Sequence, residues 1–169
     1  MMGKEILDQI ILEKEIYEPD IILNELHKGI RKALKQKESN NKDGMDLSII
    51  TVDKDTKQAS FAGAKNSATY IQNNEMFTLK ADKMPIGGEQ REIERIFTKQ
   101  TISIETPTYF YLYSDGFQDQ FGGENDKKFS ITRMKELFLN IHTQDFSTQQ
   151  NILKTTFNDW IKKTKQIDD

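Results

Sequence analysis

The stretch YFYLYSDGFQDQFGG, residues 109–123, changes character in its middle. Its first half is an aromatic, apolar run typical of a β-strand, and the run stops at Asp115 and Gly116. Taken alone, an Asp-Gly pair favours a turn, because aspartate bonds its own backbone and glycine accepts positive φ. The alternative is a carboxylate fixed at a rigid strand end, with Gly116 allowing a ligand to approach the backbone closely.

The composition of the 169 residues limits the class of protein to which this stretch belongs. The net charge is −3, and the basic residues are scattered among acidic ones, which argues against a nucleic-acid binder. No apolar run reaches the length of a membrane span, and the first residues lack the layout of a signal peptide. There is no cysteine, which excludes disulfides, thiolate metal sites and cysteine catalysis. We therefore expect one cytoplasmic domain that binds neither nucleic acid nor membrane.

Helix pairs are predicted at both ends of the chain. Residues 1–36 contain apolar positions at helical spacing, and Pro19 suits the first turn of the second helix. Residues 130–165 show the same periodicity, and Ser147 and Gln150 have the spacing of a capping box.

The middle of the chain, residues 45–114, predicts a meander of about six antiparallel strands. Short runs of β-branched and aromatic residues alternate there with polar turns, and residues 81–94 are predicted to form a long loop. Helices at both ends of an antiparallel sheet define the α+β class, with the helices packed on sheet faces.

Other carboxylates in the sequence could join Asp115 in a metal site. Hard cations such as Mg²⁺ and Mn²⁺ prefer oxygen ligands of this kind. Asp168 and Asp169 form an acidic pair near the end of the sequence, and such a pair is usually solvated. Asp43 and Asp46 lie in DGMD, where a loop entering a strand is the favoured interpretation, and whether they bind a further metal stays open.

Glycine-rich loops and histidines give weaker signals. PIGG (residues 85–88) and FGG (residues 121–123) lack the Gly-Lys-Ser/Thr of a P-loop, so turns are favoured over phosphate cradles. His27 and His142 lie on predicted helices without a ligand partner at metal-binding spacing, which favours structural roles. Ser114 lacks the full flanking pattern of a nucleophile elbow, which argues against serine hydrolysis.

Taken in order, the motifs resemble the SpoIIE-like branch of the PPM (type 2C) metal-dependent protein serine/threonine phosphatases. The motifs are DGMDLSIITVD, FAGAKNSATYI, KADKMPIGG, YLYSDGFQDQFGG with the following KKFS, and a helix pair ending in QIDD. The resemblance covers essentially the whole chain, and YSDGFQDQFGG together with KMPIGG is quite specific to bacterial members. It implies an antiparallel β-sandwich of two sheets flanked by helix pairs.

The resemblance also implies a chemistry. In this family, aspartates hold two Mn²⁺ or Mg²⁺ ions, and a metal-bound water attacks the phosphorus of phosphoserine or phosphothreonine. Carried over to this sequence, Asp115 matches one metal-ligand aspartate and Asp168 matches another, with Asp169 beside it. Gly116 matches the glycine that follows the aspartate in the same motif.

The sequence departs from the family pattern at both ends. It contains neither the early metal-binding aspartate in a strand nor the Asp-x-Thr-Gly-His-Gly motif of the family, and no apolar strand follows QIDD. We therefore expect residues 1–169 to form a single, partial phosphatase-like domain with an incomplete sandwich. Weak or absent activity is expected from such a domain.

Three hypotheses of function remain open from the sequence. The first is a bacterial signalling phosphatase that acts on a phosphoprotein, for which an anti-sigma-antagonist-type regulator is one candidate. The second is a non-catalytic module of the same fold that binds a partner or forms a homodimer through its first helix pair. The third is an unrelated α+β binding protein without metal chemistry.

Overall fold

The computed structural model describes residues 2–92, 94–161 and 166. The chain divides into two compact units. The first unit comprises Met1–Ala68 and Thr78–Pro107, and the second comprises Thr69–Phe77 and Thr108–Asp169. Each unit contains both helices and antiparallel strands, which confirms the predicted mixed class.

The helices among the described residues are α1 (Met2–Asp8), which continues into a π-helical turn (Gln9–Glu13), α2 (Pro19–Ala33), α3 (Gly116–Asp119), α4 (Ile131–Ile141) and α5 (Phe146–Trp160). Pro19 occupies the first turn of α2, where its missing N–H is not needed. The N-cap of α5 is Asp145, whose side chain accepts a hydrogen bond from the N–H of Thr148. The predicted capping box at Ser147 and Gln150 therefore places the start of the helix two residues too late.

The strands among the described residues are β1 (Gly44–Met45), β2 (Leu47–Asp53), β3 (Gln58–Ala64), β4 (Ala68–Gln72), β5 (Glu75–Leu79), β6 (Ile86–Gly87), β7 (Gln100–Ser103), β8 (Thr108–Tyr111), β9 (Phe121–Gly122) and β10 (Lys127–Lys128). They form antiparallel sheets in the orders β2-β3-β7 and β5-β4-β8, together with the short pairs β1-β6 and β9-β10.

The first unit buries an aliphatic core between α2 and its sheet. Strand β3 reads QASFAGA, and its small residues allow α2 to lie close to the strand. A Cβ at Gly63 would meet the carbonyl oxygen of Asn66 at 2.6 Å, so this position admits no side chain. The fully buried members of this core include Leu23, Leu26, Ala62 and Ile86.

The second unit buries an aromatic core. Its central buried residues are Ile71, Phe129, Met134 and Phe138. Tyr111 on β8 stacks on Phe138 of α4, with ring centroids 4.2 Å apart and planes 10° from parallel. Aromatic side chains on strand and helix therefore attach the helices of this unit to its sheet.

The strand order differs from the predicted meander, because β3 pairs with β7 and β4 pairs with β8. At the end of β3 the N–H of Lys65 donates to the carbonyl oxygen of Asp82 at 2.7 Å, and the N–H of Asp82 donates to Gly63. The position beside this end of β3 is thus taken by a segment from further along the chain. The predicted loop of residues 81–94 also contains β6, which pairs with β1.

Candidate functional site

Asp115 lies where the chain leaves β8 and enters α3 in the second unit. It has helical dihedral angles, φ −76° and ψ −12°, and its carbonyl oxygen accepts a hydrogen bond from the N–H of Asp119 at 2.9 Å. Gly116 is buried and is the first residue of α3. The glycines with positive φ among the described residues are Gly87, Gly88 and Gly123, so the Asp-Gly pair is not a left-handed turn.

The carboxylate of Asp115 is available to a ligand. The residue is exposed, and its side chain makes no capping hydrogen bond to α3. An aspartate at this point of a helix commonly caps the first N–H groups, and no such hydrogen bond occupies the Asp115 carboxylate here.

Aromatic packing fixes the backbone on both sides of Asp115. Tyr113 packs against Phe138 at 5.6 Å, and its hydroxyl lies 3.0 Å from the hydroxyl of Thr69. On the other side, the ring of Phe117 meets the ring of Phe129 edge-on at 4.9 Å. The exposed carboxylate is therefore held by a well-packed segment.

A groove opens beside Asp115 within the second unit. Ser114 and Gly116 line this largely apolar groove of about 970 Å³. Its other wall is one face of α5, from Phe146 to Phe157. The Tyr111 hydroxyl in the groove donates to Gln149 at 2.9 Å, and burial raises the pKa of Tyr111 to about 12, so this phenol stays protonated. A ligand bound next to Asp115 would therefore meet apolar and aromatic surface.

The predicted metal ligands are only partly within the described residues. Among residues 2–92, 94–161 and 166, no group of three or more His, Asp or Glu side chains is placed to hold a metal ion. Asp168 and Asp169 lie outside the described residues. Of the two predicted ligands, Asp115 is thus the one that the structure describes, and a single carboxylate suits a hard cation but does not form a two-metal centre by itself.

The acidic residues of DGMD belong to the first unit. The Asp43 carboxylate accepts a hydrogen bond from the Asn41 amide at 3.0 Å, and Asp43 leads directly into β1. This local bonding supports the interpretation as a loop entering a strand.

The PIGG loop is a tightly bonded turn. Gly87 and Gly88 have φ of 69° and 73°, which glycine adopts without strain. The N–H of Gly87 donates to Nδ1 of His27, and the N–H of Gly88 donates to the carbonyl oxygen of Asp43, both at 3.0 Å. Because these N–H groups are already bonded, they are not available to cradle a phosphate.

The FGG segment is packed against Trp160 at the end of α5. The N–H of Gly123 donates to the carbonyl oxygen of Trp160 at 2.9 Å, and the indole N–H donates to the carbonyl oxygen of Gln120 at 3.0 Å. A Cβ at Gly122 would overlap the Trp160 carbonyl. These glycines serve close packing, which agrees with the turn interpretation.

Arg95 is a residue that sequence reasoning missed. It is almost fully buried, and its guanidinium donates to the carbonyl oxygens of Pro85 and Gly87 at 2.8 Å and of Glu89 at 2.7 Å, and also to the Glu92 carboxylate. In the sequence it stands in REIER, which has the composition of a solvated charge run. The nearest available signal was the pair of glycines in PIGG, whose carbonyl groups need partners.

The same loop is held from α2 as well. Arg31 donates to the carbonyl oxygen of Gly88 at 2.7 Å, and Nε2 of His27 lies 3.1 Å from the amide oxygen of Gln90. His142 is likewise buried and bonded, with Nδ1 2.7 Å from the carbonyl oxygen of Leu139. Both histidines therefore have the structural roles that the sequence favoured.

Solved structures of phosphatase domains share this arrangement of helices and antiparallel sheets. The SiaA-PP2C domain of Pseudomonas aeruginosa has a TM-score of 0.85 and 26% sequence identity, over 99% of this chain and 64% of that chain. The phosphatase domain of SpoIIE from Bacillus subtilis has a TM-score of 0.55 at 15% identity, over 99% of this chain and 69% of that one. RsbX in complex with magnesium has a TM-score of 0.60 at 13% identity, over 94% of this chain and 68% of the RsbX chain. The fold is that of the PP2C class of phosphatase domains.

The family model of stage II sporulation protein E (SpoIIE) matches residues 1–169, and the chain belongs to this family. The family resemblance inferred from the ordered motifs is thereby confirmed. The chain spans 64% of the length of the SiaA chain that it matches. No curated protein sequence matches it significantly. Within the described residues, no helix has the length and apolar character needed to cross a membrane.

Proposed function

We propose that this chain carries part of the catalytic domain of a metal-dependent protein phosphatase, which removes phosphate from serine or threonine of a partner protein. The observation that carries the proposal is the open carboxylate of Asp115. It stands on a well-packed segment after β8, in a chain that belongs to the SpoIIE family and has the PP2C fold.

Asp115 would hold one of the divalent cations, Mn²⁺ or Mg²⁺, and Asp168 would supply a second ligand. Bound cations would neutralise the phosphoryl oxygens and activate a water molecule, so that no nucleophilic side chain is required. The buried Gly116 lines the groove next to Asp115, and the aromatic residues on either side of Asp115 hold its backbone in place. Support for the metals comes from the relatives, since RsbX was solved with magnesium and SpoIIE after a manganese soak.

The partner in this proposal is a phosphoprotein of a bacterial signalling system in the cytoplasm, with an anti-sigma-antagonist-type regulator as one candidate. Residues 1–169 contain no Asp-x-Thr-Gly-His-Gly motif. We expect these 169 residues alone to bind Mn²⁺ weakly and to turn over slowly or not at all. The non-catalytic alternative, a module for partner binding or homodimer formation, is distinguished from the proposal by metal binding.

The test measures binding of Mn²⁺ to the 169-residue chain. Electron paramagnetic resonance detects binding as a loss of the signal of the free ion. Asp115→Ala should weaken binding at least about tenfold, because it removes a direct ligand. Asp119→Ala is the matched control, since this exposed carboxylate four residues away pairs with Lys128 at 3.1 Å and should leave Mn²⁺ affinity unchanged.

Hydrolysis of a phosphothreonine peptide with and without Mn²⁺ completes the test. Binding of Mn²⁺ that is equal in Asp115→Ala and in the unmodified chain would contradict the assignment of Asp115. Rapid turnover that is lost in Asp115→Ala would support the assignment and overturn our expectation of weak activity.

A further inference from the structure

The first unit contains a groove whose lining is mostly cationic. This basic groove has a volume of about 630 Å³ and lies between the second half of α2 and the segment that follows the PIGG loop. Its cationic side chains are Lys28, Arg31, Lys32, Lys35, Lys37 and Arg95. The whole chain has a net charge of −3, so the groove is a local reversal of the overall charge.

Two of these cations are held in place by hydrogen bonds to the backbone. Arg31 and Arg95 are held by backbone carbonyl groups of the PIGG loop and its continuation, at distances of 2.7–2.8 Å. Carbonyl groups are neutral, so these hydrogen bonds do not cancel the positive charge of the guanidinium groups. Glu92 offsets the charge of Arg95, and the charge of Arg31 remains.

Three lysines at the groove are free to reach a ligand. Lys32, Lys35 and Lys37 are exposed, and no ion pair holds any of them within the part of the chain that the structure describes. Lys28 differs, because it pairs with Glu25 at 3.0 Å. The free lysines therefore present mobile positive charges above the fixed guanidinium groups.

A simpler explanation accounts for only part of this arrangement. Basic residues in the last turn of a helix stabilise its negative end, which explains Arg31 and Lys32 on α2. It does not explain why Lys35 and Lys37, which lie beyond the helix, line the same groove as the loop-bound Arg95. Convergence of separate segments on one concave surface indicates recognition of an anionic ligand.

The lining also favours one class of ligand. Glu38 and Glu94 stand among the cations and would repel the continuous phosphate backbone of a nucleic acid. Among the described lining residues there is no Phe, Tyr or Trp on which a base could stack. A polypeptide carries its negative charges at intervals, so it can place them at the lysines and neutral residues at the glutamates.

We propose that the basic groove binds an extended, negatively charged segment of a protein partner, in which phosphoserine or acidic side chains supply the charge. The inference goes beyond the proposed phosphatase activity and does not depend on Asp115. Lys32, Lys35 and Lys37 provide the adjustable contacts, and Arg31 provides a fixed one.

The experiment measures fluorescence anisotropy of labelled ten-residue peptides with the 169-residue chain. One peptide carries glutamate at alternate positions, a second carries phosphoserine there, and a third carries serine. A ten-nucleotide thymidine strand tests the nucleic-acid alternative. We expect both anionic peptides to bind. Their affinity should fall as salt rises from 50 to 200 mM, because the Debye length is then shortened to about half. The serine peptide should not bind.

The double substitution Lys32→Glu and Lys35→Glu should weaken binding of the anionic peptides about tenfold or more. The matched control is Lys54→Glu with Lys57→Glu, two exposed lysines of the turn between β2 and β3, which should leave binding unchanged. Circular dichroism tests whether each variant is folded. If the double glutamate variant at Lys32 and Lys35 is unfolded, the variant Lys32→Gln with Lys35→Gln is used in its place.

The arms of the experiment separate the possible outcomes. Tighter binding of the phosphoserine peptide identifies a phosphorylated segment, and equal binding identifies an acidic one. Equal binding of the serine peptide, or an equal loss in the control variant, overturns the proposal. Tighter binding of the thymidine strand than of either peptide overturns it in favour of a nucleic-acid site. Because every arm reads binding, none of these results depends on whether the chain is an active phosphatase.

Discussion

The two compact units stabilise their loops by different physical means. In the first unit, buried polar groups hold the PIGG loop, chiefly the guanidinium of Arg95 and the imidazole of His27. In the second unit, rings hold the segment around Asp115, through Tyr111, Tyr113 and Phe117. Charge-assisted hydrogen bonds are directional, whereas ring packing depends on shape and buried area.

The difference extends to the surfaces of the units. The first unit shows a basic groove, which suits charged polypeptide. The second unit shows an apolar groove beside Asp115, at whose rim Phe146 is 85% exposed. An exposed ring beside an apolar groove marks a surface that is suited to contact with another molecule. The residues that line the basic groove are therefore different from the residues around the candidate metal ligand Asp115.

The largest effect is expected from Gly122→Ala, which tests the dependence of the second unit on shape. The added Cβ would overlap the backbone carbonyl of Trp160, and a backbone group cannot rotate away as a side chain can. The free energy of unfolding should fall by about 3 kcal/mol. Urea denaturation followed by fluorescence of Trp160, the one tryptophan of the chain, measures the loss directly.

Gly3→Ala is the control for this substitution. The nearest atom to a Cβ at Gly3 is the sulfur of Met45 at 3.5 Å, an ordinary contact, and Gly3 lies in α1. Alanine should therefore be neutral or stabilising there, by up to about 1 kcal/mol. Equal losses from the two substitutions would contradict the tight packing of the FGG segment on α5.

A smaller but still large effect is expected from Arg95→Leu, which tests the polar attachment in the first unit. The substitution keeps much of the buried volume and removes the donors for three backbone carbonyls and the Glu92 carboxylate. We expect a loss of about 2 kcal/mol in the free energy of unfolding, measured by urea denaturation.

Arg91→Leu is the matched control in the same loop. The Arg91 side chain is 85% exposed and pairs only with Glu89 at 3.3 Å among the described residues, so its removal should cost less than about 1 kcal/mol. A loss from Arg95→Leu as small as that from Arg91→Leu would show that the buried guanidinium is not what stabilises the loop.

The same contrast explains what the sequence could predict. Local patterns identified α2, the strand before Asp115 and the family motifs, because helical spacing and strand composition are properties of neighbouring residues. The pairing of β3 with β7 depends on residues far apart in the chain, which no local pattern encodes. The burial of Arg95 depends on how residues 85–92 fold around its guanidinium, and the composition of REIER does not reveal this. For the candidate site, the sequence identified Asp115, whereas its helical conformation and open carboxylate required the structure. Its proposed partner Asp168 lies outside the described residues, so that pairing stays a prediction.

The smallest effect is expected from pH, through His27 in the first unit. Its Nδ1 accepts from the N–H of Gly87, so the neutral ring carries its proton on Nε2 and donates to Gln90. Burial lowers the pKa of His27, and the nearby charges of Arg95 and Arg31 lower it further. Gln90 and Glu92 act in the opposite direction and are outweighed.

Because the pKa of His27 is lower in the folded chain than its ordinary value of about 6.5, the unfolded chain binds more protons between these two values. The contribution of His27 to stability is therefore complete above about pH 6.5 and is lost as pH falls toward the folded pKa. His27→Asn retains an acceptor near the Gly87 N–H but cannot titrate. Urea denaturation at pH 7.5 and 5.5 should show a smaller decrease in the free energy of unfolding for this variant than for the unmodified chain. An equal decrease in both would mean that protonation of His27 does not weaken the attachment of the PIGG loop.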